Sequence, residues 1–201
     1  MAPSLSSMDP VEAVLHFWFG DPKDPKGEYG HQRRCWFQKD SDFDETIRRK
    51  FWTIFEQAAA GQLYPWQDQP RSCLALVVLL DQFPRNLFRG DPRSFATDSQ
   101  ALEISEHALA RQYDQQVLPV ERLFFYLPLE HSENLAHQHR SVALFEVLAR
   151  HSPEFKSTLD YAYRHRDVIA QYDRFPHRNA ILGRESTVDE AAFLKQPGSR
   201  F

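Results

Sequence analysis

An all-α fold is what this chain predicts, and three features carry that expectation. Apolar residues recur at three- and four-residue spacing over most of its length, most clearly at Phe43, Ile47, Phe51, Ile54, Phe55 and Ala58. Helix start signals stand at the heads of such runs, as in Asp9–Pro10 and Ser152–Pro153. No pair of segments reads as partnered strands. Together these predict about eight helices in antiparallel hairpins, stacked as an α-solenoid or packed as a compact bundle.

Each helix has its own grounds. "MDPVEAVLHFWFG" opens with Asp9 as cap and Pro10 at the first helical position, and stops at Gly20. A turn-rich loop, Asp21 to His31, follows. "SDFDETIRRKFWTIFEQAAAG" takes Ser41 as cap, has Asp44 and Glu45 in its first turn where the helix dipole favours acids, and ends before Gly61. "RSCLALVVLLDQF" is apolar on nearly every side and reads as a buried central helix; a buried strand competes, because Val77 and Val78 are β-branched. "TDSQALEISEHALARQ" starts from Thr97 or Asp98. "LPVERLFFYLPLEH" opens at Pro119 and is expected to break at Pro128. "SENLAHQHRSVALFEVLARH" runs from Ser132 as cap, and "SPEFKSTLDYAYRHRDVIAQY" from Ser152. "STVDEAAFL" carries a capping box, Thr187 with Glu190 three residues on.

Length and composition narrow the class. The 201 residues fit one domain, expected over 9–195, with a disordered stretch at 1–8 and a flexible tail at 196–201. With 13% aromatic residues, the core is bulky and needs no disulfide or metal to form. A net charge of -4 speaks against general nucleic-acid binding. The longest apolar stretch, Cys73 to Leu80, is too short to span a bilayer, and the N-terminus is no signal peptide, so the cytoplasm is the default and membrane partners are not expected. Cys35 and Cys73 read as reduced thiols. With no P-loop, no Gly-x-Gly-x-x-Gly and no Gly-x-Ser-x-Gly elbow, the NTPase, dinucleotide and α/β-hydrolase readings fall away, and the cofactor is left open.

One internal echo stands out. "LDQFPRNLFRG" (Leu80–Gly90) and "YDRFPHRNAILGR" (Tyr172–Arg184) both place an aspartate before Phe-Pro, then Arg-Asn, then apolar residues and a further arginine. Proline disfavours the α conformation for the residue before it, so each helix is expected to end at its phenylalanine. Arg85 with Asn86, and Arg178 with Asn179, then lie just past the ends. Guanidinium forks and carboxamides in such places either bind a carboxylate or phosphate, or tie down a helix's orphan carbonyls as staples. Arg89, Arg93, Arg174 and Arg184 lie close by in sequence.

The ordered set "CWFQKD", "GQLYPW", "LLDQFPRNLFRGDPRSFATD", "FFYLPLEHSENLAHQ" and "RFPHRNAILGRESTVDEAAFL" covers nearly the whole chain. Through it the protein resembles an uncharacterised, mainly bacterial family of all-helical proteins, a domain of unknown function. The resemblance implies a tetratricopeptide-like helical array and brings no activity with it. It shows one departure, Tyr172–Asp173 where the family usually has Phe-Gly.

From the residues, a polar site is expected where both loops and the His131–Glu133 segment converge. Arg85, Asn86, Arg89, Arg174, Arg178, Asn179 and Arg184 are the candidate ligand-binding groups for a small anionic molecule. His131, Glu133 and His177 are the candidate acid–base groups, and His165, on the helix feeding the second loop, can line the same site. Structural hydrogen bonding competes with that reading throughout. Two other functions remain open: a tetratricopeptide-like module that binds a protein or peptide without catalysis, and a metal-dependent hydrolase. Spacing gives the latter little support, since there is no His-Glu-x-x-His and no cysteine pair, and no metal ligand is assigned.

Overall fold

The computed structural model describes residues 8–199, and among these the regular structure is helical throughout. The expected disordered start and the last two residues of the tail lie outside the described residues, Met8 excepted. Helices α1 (Pro10–Phe19) and α2 (Ser41–Ala59) lead into α3, which is composite: α-helical over Pro70–Val77, a π-helical turn over Val78–Gln82, and α-helical again over Phe83–Leu87. Then come α4 (Asp98–Ala110), α5 (Pro119–Glu130), α6 (Leu135–His151), α7 (Lys156–Tyr172) and the short α8 (Val188–Phe193), with 3-10 turns in the connections. The buried segment 71–83 is therefore helix and not strand.

Two compact units emerge within this span, residues 8–89 with 94–128, and residues 90–93 with 129–199. In the first, α3 is the central rod: every residue from Cys73 to Phe83 is at least nine-tenths buried. Aromatic rings close around it. Trp18 packs on Trp36, Phe43, Phe83 and Phe124 at centroid distances of 5.6 to 6.3 Å. Both thiols are free; Cys73 is buried in this core and Cys35 is half-buried. In the second unit α6 and α7 pack side by side as a hairpin, and Val168, Ile169 and Phe175 gather with Tyr172 and Phe193.

Prolines 84 and 128 were expected to end or break their helices, and neither does. Pro84 has no N–H to offer the Leu80 carbonyl four residues back. That carbonyl instead accepts the Thr97 hydroxyl at 2.5 Å, and Arg85 donates to the next carbonyl, that of Asp81. The π turn adds one residue just ahead, so that the Phe83 N–H reaches five residues back to Val78. Pro128 lies within α5, where the Phe125 carbonyl accepts the Ser105 hydroxyl. At Pro84 a hydroxyl from the α4 cap thus replaces the missing backbone donor.

Caps shift by a residue or two from their expected positions. Asp40, not Ser41, caps α2 with bonds from Asp42 and Phe43, and Asn134, not Ser132, caps α6 with bonds from Ala136 and His137. Ser152 makes no cap bond, and α7 is entered through a 3-10 turn at Pro153–Phe155. Asp9 and Thr187 cap as expected. Asp173 ends α7 in the left-handed conformation, φ 56°. The position asks for positive φ, which aspartate tolerates and glycine adopts freely.

Candidate functional site

The first Phe-Pro segment is helix, so its side chains project from α3 in the first unit. Arg85 forms a fork on Asp98, at 2.8 and 3.1 Å, with Asp81 3.5 Å away. Asp98 is the first residue of α4, where the dipole favours a carboxylate. Asn86 donates to Asp44 at 2.7 Å, and Arg89 clasps the same carboxylate at 2.5 and 3.0 Å. These contacts bind α3 to α2 and α4. Arg93 pairs locally with Asp91.

In the second unit α7 does stop before its Phe-Pro. Phe175 is extended, φ −87° and ψ 107°, and its ring is fully buried. Glu133 anchors this loop. It accepts the Phe175 N–H at 2.8 Å and a fork from Arg184 at 2.7 and 3.0 Å, while Arg184 also donates to the Phe175 carbonyl. Burial alone would push the Glu133 carboxyl up; the Arg184 fork and the Phe175 N–H outweigh it and hold the carboxyl below its usual range. With Asn134 and not Ser132 as the α6 cap, Glu133 lies just ahead of the helix. Arg174 forks onto the buried Glu190 at 2.6 and 2.8 Å, bringing that carboxyl down to about 2, and Asn179 donates to Glu190 and Ser186.

The last carbonyls of α5 and the residues after it are gathered by two side chains. Gln138 donates to the carbonyls of Glu130 at 2.6 Å and Ser132 at 2.7 Å, with Leu129 at 3.4 Å, and Arg178 donates to that of His131 at 3.0 Å. The Arg178 guanidinium lies over the Phe175 ring, 4.5 Å from its centroid. The imidazoles of His177 and His165 flank the same ring, each at 5.5 Å. Nδ1 of His165 donates to the Tyr161 carbonyl at 2.9 Å and lies 3.2 Å from Glu130. Burial, with Arg178 close by, lowers His177 to about 4; burial also takes His165 down to about 3, further lowered by His131 and Arg178. Both imidazoles are neutral at neutral pH.

Of the expected site residues, His131, Glu133, Arg174, His177, Arg178, Asn179 and Arg184 belong to the second unit and meet around Phe175 and Glu133, whereas Arg85, Asn86 and Arg89 form their own cluster in the first. Glu130, Gln138 and Glu190 were not anticipated as members. Only the Glu190 capping box left a local trace. Among the described residues no group of three or more histidine, cysteine, aspartate or glutamate side chains could hold a metal ion, and no helix is long and apolar enough to cross a membrane.

The fold and these loops define an all-helical protein built on two carboxylate-clamped Phe-Pro segments. The chain belongs to a family described as bacterial protein of unknown function (DUF924), whose model matches residues 14–198. Among solved structures it is similar to a protein of unknown function, ATU0120, from Agrobacterium tumefaciens. The two share 37% identity over 92% of this chain and 96% of that one, with a TM-score of 0.79. No curated protein matches it.

Proposed function

We propose that the second unit binds a small anionic molecule, bearing phosphate or carboxylate, at Arg178 together with His177 and His131. One observation carries the reading: Arg178, His177 and His165 converge on a single buried ring, that of Phe175. Arg178 supplies a positive charge there, beside two imidazoles that burial first, and that charge second, keep neutral well below the usual pH. An anion is the complement that such a charge favours. His131 and His177 are half-buried, so solvent reaches the cluster from their side. His177 is the group to exchange a proton with a bound anion. Glu133, Arg184, Arg174 and Asn179 shape the loop and do not hold the ligand's charge.

Thermal unfolding with inorganic phosphate and with small carboxylates tests this. Wild-type protein is expected to be stabilised in a saturable way, by about 2.7 kcal/mol at a hundredfold excess over Kd. Arg178→Gln and His177→Asn, checked for native circular dichroism, should lose that response. Absence of any response in the wild type across both anion series overturns the proposal.

A further inference from the structure

Two carboxamides in the second unit are fully buried, and in both the orientation of the amide is fixed by chemistry. Gln138 faces three main-chain carbonyls, which only accept, so its NH2 must point to them. Asn179 faces the Glu190 carboxylate as well as Ser186, so its NH2 must point there. The opposite end of each amide is therefore an acceptor oxygen. Among the described residues neither Gln138 Oε1 nor Asn179 Oδ1 meets a donor, although both residues are completely shielded from solvent. Leaving two such acceptors unsatisfied is costly, and native interiors rarely do so without a reason. Both are tied to the proposed anion site: Asn179 is the neighbour of Arg178, and Gln138 grips the carbonyls on either side of the His131 carbonyl that Arg178 holds.

A site that joins a guanidinium to carboxamide oxygens is mismatched to an anion made only of acceptors. Its oxygen atoms would face the Arg178 charge well, but would repel the carbonyl dipoles of Asn179 and Gln138. We infer that the ligand is an anion carrying its own hydrogen-bond donor, such as a hydrogen phosphate or a 2-hydroxycarboxylate, with Arg178 on the charge and the carboxamide oxygens of Asn179 and Gln138 on the donor. This rests on the anion-binding reading above and specifies its ligand class. A site built to satisfy a donor discriminates strongly against the analogue that lacks it, because the buried acceptors are then left unpaired.

Two matched pairs of probes test it by isothermal titration of the full chain at neutral pH. Inorganic phosphate and sulfate are both tetrahedral oxyanions, and at neutral pH only phosphate has a proton to donate; 2-hydroxypropanoate and propanoate differ by one hydroxyl. The inference expects the donor-bearing member of at least one pair to bind at least about tenfold more tightly, and Arg178→Gln to weaken that member's binding. Equal affinities within both pairs would overturn it while leaving anion binding intact. Binding by none of the four probes would overturn both it and the function it rests on.

Discussion

Glu133→Ala should destabilise the second unit more than any surface substitution on α6. The carboxylate receives three hydrogen bonds, from Phe175 N at 2.8 Å and from Arg184 at 2.7 and 3.0 Å. Truncating one partner of a fully buried ion pair costs about 3–5 kcal/mol. Here the two side chains keep 24 and 27% of their exposure, so water recovers part of the loss and the figure falls to about 2–3 kcal/mol. For a chain of this size each kcal/mol corresponds to about 2–4 °C, which gives a drop in Tm of about 4–12 °C. Glu133→Gln retains an acceptor for the Phe175 N–H and should lose about half as much. The pH dependence has a definite sign. A carboxyl lowered in the folded state contributes stability above its unfolded value, ordinarily 4.5, and that contribution fades as pH falls through the folded value. Calorimetric melts from pH 3 to 7 should therefore show the Glu133→Ala deficit shrinking in acid. A variant that melts within about 1 °C of wild type at pH 7, or whose deficit is constant with pH, would refute the clamp.

Other expectations follow from the same contacts. His177→Gln should flatten the stability profile between about pH 4 and 6.5, because in that window the unfolded imidazole takes up a proton that the folded one refuses, and wild-type stability falls on acidification; equal slopes in urea titrations would contradict this. Thr97→Val strands the Leu80 carbonyl beside Pro84 and should cost about 1–3 kcal/mol by chemical denaturation. Asp173→Gly, at the left-handed end of α7, should raise stability by up to about 1 kcal/mol, measured by the same method.

The helical periodicity, the Asp9–Pro10 start and the Thr187–Glu190 box are local signals, and they led to the right helices at those places. What escaped the sequence is non-local. Pro84 looks like a helix breaker until Thr97 arrives from elsewhere in the chain to satisfy the Leu80 carbonyl. Ser132 is a fair cap by composition, yet Asn134 is the residue whose side chain reaches the first free N–H groups. The loop arginines were recognisable, but their partners were not: Asp44 lies 45 residues from Arg89, and Glu133 lies 51 from Arg184. No periodicity reports a pairing over that separation, so the balance between staple and site could be read only from side-chain geometry. Arg85, Asn86, Arg89, Arg174 and Arg184 each contact a carboxylate, and the proposed site draws on Arg178 and the histidines around Phe175.

Imidazole resonances of 15N-labelled protein, followed while inorganic phosphate is added at constant ionic strength and pH, report on that cluster directly. The account predicts saturable shifts for His177 and His131, absent in Arg178→Gln, while the distant ring of His151 stays still. Shifts that are linear in phosphate, equal at all histidines, or unchanged by Arg178→Gln would contradict it.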